Sequence, residues 1–310
     1  MNTAAANERA LFVFMDITLP TIPRYRPFHK GSYTTTPSLL PLGTDFGNGV
    51  LDSLALQLDS GIAALIANKQ QIQTYRPLVL VSDLSPSVAN AAIAQLAAER
   101  EVTQITLGAN YPDVSLAEET WRDTSLTPER RFEALALSLA EDIAILEINP
   151  DDSDRNALMS IAAPSRWAPE EKIGCSFITT HIPVPNMEKT LAVAPKLQQM
   201  LLERGPFVRF AWGISTTNAL DTHPSVAEPP YAGGDAWLRV ERQVIRRIPE
   251  HPAYIFTIRV IIESLSSVRE NPTDAAALAS ALRSMDEKSR IYKSVDGHVE
   301  ALCAYLTEQA

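Results

Sequence analysis

Cysteine is almost missing from this chain. Cys175 and Cys303 are the two thiols among 310 residues, too few for a disulfide framework or a cysteine-built metal cluster. Positive charge is also short. Lys and Arg number 27 against 37 Asp and Glu, a formal net charge of −10, whereas a nucleic-acid-binding chain is usually basic. The apolar run near the N-terminus, LFVFM, is too short to span a bilayer and no basic leader precedes it. No GxGxxG stretch marks a dinucleotide site, and no cysteine run could hold an iron–sulfur centre. These absences point to a soluble, cytoplasmic protein with neither nucleic acid nor membrane as partner.

What is present is an ordinary globular composition, 45% hydrophobic and 21% charged. A chain of this length buries a large core, as one elaborated domain or two small ones. We read one domain over 1–310: a mostly helical part at 1–140, a sheet core at 141–265 and a helical tail at 266–310. Leu51, Leu54, Leu58, Ile62 and Leu65 recur by threes and fours, which predicts a helix over 49–75. Residues 77–83 are a short strand or a connector. Ser85 and Thr127 each stand as an N-cap before a helix. DIAILEIN and ALMSIAAP read as a hairpin around an Asp/Asn-rich turn, and with 207–215 and 237–261 they predict about five antiparallel strands. A helix is expected at 188–203, another at 274–285, and a last one capped by Asp296. The fold class is α+β.

The stretch 237–265 carries the strongest strand signal. Two β-branched runs flank the breakers Pro249, His251 and Pro252. On the second run Tyr254, Phe256, Ile258 and Val260 share one face, and Ile255, Thr257, Arg259 and Ile261 the other. Arg239, Glu241, Arg242, Arg246, Arg247 and Arg259 sit among these apolar residues. Arginine in a half-buried strand needs an anion. Two readings compete. The arginines are solvated or paired with Glu241 and Glu250, or one or two of them hold an anionic cofactor.

A second stretch, 164–191, contains His181, followed at once by Pro183 and Pro185. Prolines stiffen the chain behind the imidazole and fix its direction, which axial ligation of a metal requires. A structural or surface histidine is the plainer reading of the same residues. Cys175 is the rival ligand, although a free cysteine is usually a small hydrophobe. His223, His251 and His298 lie near turns or a terminus and read as surface residues. Near the start, Tyr25, Arg26, His29, Lys30 and Tyr33 cluster in YRPFHKGSY, a lid over a ligand or an ordinary surface loop.

Three of these stretches carry a resemblance. WAPEEKIG, THIPVP, and ERQVIRRIP followed by FTIR resemble, in this order, motifs of the haem-dependent oxidative N-demethylase family, over residues 141–265. RPF at 26–28 resembles the family's entry segment. That resemblance implies a haem-binding PAS-like sheet carrying one haem b. It places His181 on the iron as the metal ligand, and Arg242, Arg246 or Arg259 on the propionates. It implies an oxidoreductase, a monooxygenase-type enzyme acting with O2 on a small amine-like substrate. Electrons would come from NADPH through separate reductase partners carrying flavin and an iron–sulfur centre. The sequence departs from the family pattern at Thr180 (isoleucine), Ala211 (asparagine) and Val244 (threonine). The loss at Ala211 removes a polar contact of the kind that discriminates between substrates, so a substrate other than dimethylamine is expected. A redox-neutral reaction at a haem Lewis acid and a haem-PAS gas sensor are the alternative functions.

Overall fold

The computed structural model describes residues 25–35, 38–46, 49, 52–112, 120–151 and 153–308. LFVFM lies outside them. The chain is α+β, built on a seven-stranded sheet. The strands are β1 (Leu40–Pro41), β2 (Val79–Val81), β3 (Asp142–Ile148), β4 (Asp154–Ser160), β5 (Phe207–Ser215), β6 (Trp237–Arg247) and β7 (Ala253–Ser264). Their order is β1-β5-β6-β7-β3-β4-β2, and each neighbouring pair is antiparallel. The five expected strands form the middle. Two short segments, β1 and β2, close the edges, where few residues suffice to cover exposed backbone groups.

The helices of the first half and of the tail pack on one face. In the first half these are α1 (Ile62–Ile72), α2 (Pro86–Leu107) and α3 (Pro128–Leu137). In α2 the buried positions Val88, Ala89, Ala92, Ile93, Leu96, Arg100 and Thr103 form one stripe. That stripe packs with Leu65, Phe132 and Leu135 against Ile143, Ile145, Leu158 and Ile255 of the sheet. Pro86 opens α2 and left-handed Gly108 ends it. Lys69 is fully buried and donates to the carbonyls of Ala136, Leu139 and Glu141. It thereby satisfies orphan acceptors at the end of α3. Burial pushes its ammonium down to about 8, against the pull of Asp142 and Glu141.

The other end of the same face is covered by α7 (Leu265–Arg269), α8 (Pro272–Arg283) and α10 (Val299–Thr307), with α9 (Glu287–Tyr292) between the last two. Leu278, Leu282, Leu302 and Leu306 pack on Trp212, Ile214, Leu238 and Val240. The last helix begins after His298, which makes no side-chain cap, so Asp296 is not its N-cap. Residues 25–33 are a strap bound to α8. Arg26 pairs with Asp274 and Glu263, Ser280 donates to the Gly31 carbonyl, and Tyr33 N–H donates to Ser284. Phe28 beneath it is fully buried against Trp212.

Two expected helices differ. The 49–75 helix is shorter, because residues 54–57 spend their backbone groups elsewhere. Leu54 and Ala55 carbonyls accept from Arg242, and the Gln57 N–H donates to Glu141. The 188–203 helix is broken into α5 (Glu188–Leu191) and α6 (Ala194–Glu203), with Pro195 in the first turn of the second piece. No helix among the described residues is long and apolar enough to cross a membrane.

Candidate functional site

The two faces of the sheet are filled differently. The helix-covered face of β6 is buried throughout, at Leu238, Val240, Arg242, Val244 and Arg246. On the other face Arg209, Ala211 and Gly213 of β5, Glu241 of β6, and Phe256 and Ile262 of β7 are partly exposed. These side chains, on β5 beyond the two residues that β1 covers and on β6 and β7 beside it, outline a recess. Residues 161–203 arch over it, with Trp167, Ile173, Leu197 and Leu201 packed among Leu146, Ile245, Tyr254 and Phe256.

His181 is the last residue of α4 (Phe177–His181), a single turn fastened to β4. Ser176 caps it, accepting from Thr179 N–H at 3.1 Å. Asp154 accepts from Phe177 N–H at 2.6 Å. Asn156 donates to the Thr180 hydroxyl at 2.9 Å and to the Lys172 carbonyl at 3.0 Å. Thr180, where the family pattern has isoleucine, thus becomes an anchor. The imidazole stacks on Phe177 at 4.3 Å and its Nδ1 lies 2.8 Å from the Phe177 carbonyl. A carbonyl can only accept, so Nδ1 carries the proton and Nε2 keeps its lone pair. Nε2 has no hydrogen-bond partner among the described residues. Burial lowers the imidazole pKa; the Phe177 bond opposes this, and the charges of Arg209 and Lys172 reinforce it. The ring is neutral at pH 7.

Arg242, Arg246 and Arg259, expected on the propionates, sit on the helix-covered face. Register places Arg242 directly opposite Arg259, on the helix-covered face. Arg242 Nε sits 2.6 Å from Asp52, Arg259 pairs with Asp59 at 2.6 Å, and Arg246 holds both oxygens of Glu99. All three are buried. The sheet stands between them and His181, so one ligand in the recess cannot touch both sets. Of the two readings, these arginines follow the paired one, with Asp52, Asp59 and Glu99 as partners instead of Glu241 and Glu250. The distance along the chain between these pairs hid them from sequence reading.

The cations facing the recess are Arg209 and Lys293. Arg209, inside the RFAWGI motif, makes no hydrogen bond or ion pair among the described residues, and its Nε is buried. Burial lowers its pKa, against the pull of Glu241, Tyr33 and Tyr292. Lys293 lies over Gly213. Burial pushes its ammonium down to about 8, and Arg209 and Arg166 reinforce that while Glu241 opposes it. Glu241 accepts from Ser165 and, at 2.8 Å, from Gln243. Arg239 donates to Ser165 at 2.8 Å and to the Leu220 carbonyl at 3.0 Å. Cys175 donates to the Glu171 carbonyl at 3.3 Å. His223 is buried, not a surface residue, and is held by Glu170 at 2.9 Å and Ser225 at 2.7 Å.

Arg166 closes one side of the recess. It donates to the Lys293 and Ile214 carbonyls and pairs twice with Glu228 at 2.6 Å. Burial raises the Glu228 pKa, but the bonds from Arg166, Ser215 and Thr216 outweigh it and hold the carboxyl at about 2. A depressed carboxyl contributes stability that is present above its unfolded pKa and lost as pH falls through the folded one. Unfolding measured from pH 6 to pH 2 is therefore expected to separate Glu228→Gln from the wild type at the upper end. The gap should close between about 4.5 and 2; a gap constant across that range would contradict the ion pair.

The arrangement offers, among the described residues, one imidazole nitrogen without a partner, two cations without an ion pair and an apolar wall on the same side of the sheet. Among the described residues no group of three or more His, Cys, Asp or Glu could hold a bare metal ion. Residues 53–303 match a family model described as "Haem-dependent oxidative N-demethylase, alpha subunit-like".

Proposed function

The chain belongs to the haem-dependent oxidative N-demethylase alpha-subunit-like family, and from that premise we propose that it binds one haem b in the recess, with His181 on the iron, and demethylates a small amine oxidatively. The observation that carries this reading is the state of His181. A neutral ring whose Nδ1 is fixed on the Phe177 carbonyl keeps the lone pair of Nε2 available to a metal. Such a backbone bond orients a ligating histidine and raises its basicity. One histidine is enough for an iron that brings its own macrocycle. The unpaired Arg209 is the partner for a propionate, a carboxylate that arginine grips well, and replaces Arg242, Arg246 and Arg259 in that role. The five long strands run β4-β3-β7-β6-β5, with helices inserted between β4 and β5; this order supports the PAS-like reading.

Haem iron, when bound, supplies the centre at which O2 is reduced. Removing one N-methyl group in this way consumes the amine, O2, two electrons and two protons, and yields the shorter amine, formaldehyde and water. The electrons come from outside this chain, whose sequence holds no dinucleotide fingerprint and no cysteine cluster. A separate reductase subunit, drawing on NADPH through flavin and iron–sulfur centres, agrees with the words "alpha subunit-like". The chain's own residues orient the imidazole through Phe177, exclude water with Trp167, Phe256 and Ile262, and hold charge with Arg209. Ala211 leaves an apolar spot on the floor where the family pattern has asparagine, which favours an amine other than dimethylamine.

Absorption spectra of the oxidised, reduced and CO-treated reduced protein test the reading. A Soret band with a reduced-CO maximum of the histidine-ligated kind is expected. A strongly red-shifted maximum would move the ligand to Cys175. No Soret band after haem addition would end the proposal.

A further inference from the structure

We infer that the recess recognises a zwitterion, an N-methylated amine that also bears a carboxylate, with Lys293 receiving the carboxylate and Glu241 the ammonium. This deepens the demethylase reading and rests on it for the fate of the methyl group. The receptor itself is made only of this chain's side chains.

The argument begins with how Lys293 is held. Its N–H donates to the Ser289 carbonyl at 2.9 Å, and its own carbonyl accepts from Arg166 at 3.4 Å. The stem then runs over Gly213, where a Cβ would stand 3.5 Å from Lys293 Cδ and 3.9 Å from Nζ. The backbone is fastened and the stem is supported, yet Nζ reaches no hydrogen-bond acceptor or carboxylate among the described residues. Its one contact of this kind is with the ring of Tyr292, 5.5 Å from the centroid. An ammonium drawn out of water without an anion is costly, so the position is expensive unless a ligand completes it.

Glu241 faces the same space from β6, across from Ala211. Ser165 and Gln243 each take one lone pair of its two oxygens, which fixes the carboxylate and leaves acceptor capacity on both. The charge of Glu241 pulls on the Lys293 ammonium, yet no ion pair joins them. Nor does one join Glu241 to Arg209. Two opposite charges that face one recess without closing on each other leave a gap for a molecule of complementary charges. A plain amine would satisfy Glu241 and leave Lys293 bare, and a site built around a polar contact rejects partners that lack it.

Calorimetry on the full chain, as purified and after haem addition, compares N,N-dimethylglycine with dimethylamine. The wild type is expected to prefer N,N-dimethylglycine by about tenfold or more. Lys293→Met should bring the two within about twofold, and Lys293→Arg should restore most of the preference. Equal binding by the wild type, with haem present, would overturn the inference and leave the haem reading intact. Loss of haem per protein in Lys293→Met, with the preference unchanged, would also overturn it, by assigning the ammonium to a propionate. A clear preference in a wild type that never acquires a Soret band would uphold the receptor and sink the haem reading.

Discussion

His181→Gly protein is expected to lose its haem on gel filtration and to recover a Soret band when imidazole is added. Removing a partner of a metal-bound histidine typically costs 10–100-fold in affinity, so removing the ligand should cost at least about a hundredfold. The side chain is half-buried and sits at the end of a one-turn helix, so the fold should survive its loss. Imidazole rescue separates ligation from folding. The small molecule can occupy the vacated space and supply the same nitrogen, but it cannot repair a misfolded chain. Full haem occupancy in His181→Gly without imidazole would place the iron on another residue, and Cys175→Ala would then be the next variant to measure.

Arg242→Ala should lower the unfolding free energy by about 3–5 kcal/mol and leave haem per folded molecule unchanged. Arg242 is among the largest fully buried side chains. Its guanidinium pairs with Asp52 and donates to the carbonyls of Leu54 and Ala55. Truncation leaves a nearly buried carboxylate and two carbonyls without partners, and such a remnant costs more than the pair itself stabilises. Urea unfolding of haem-free protein measures the loss; the haem-to-protein ratio of the folded fraction measures the rest. A stable variant that no longer binds haem would return Arg242 to the propionates. The two results exclude each other, because the sheet places this arginine on the face away from His181.

Much of the local structure was legible in the residues. The β6–β7 hairpin followed from its β-branched runs and the breakers between them. Thr127 was read as a cap and does accept from Arg130 N–H. These are short-range matters, decided by side-chain period, proline and capping within a few residues. The edge strand β1 carried no strand pattern, and the segment of β2 read equally as a strand or a connector. Residues 54–58 carried a misleading one: their leucines have helical spacing, but Arg242 and Glu141 claim the backbone.

Alternation along β6 and β7 sorted the side chains into two sets, and the three family-like motifs marked the His181 segment as the site. Both were properties of the sequence alone. The tertiary structure decided which set faced the recess and which faced the helices. Arg246 meets Glu99 across 147 residues and Arg242 meets Leu54 across 188. Partners that far apart are set by strand register and layer packing, which no local pattern encodes. The same packing left Arg209 and Lys293 without an ion pair among the described residues, on the side of the sheet that carries His181. A charge is paired or free only relative to what the fold brings next to it.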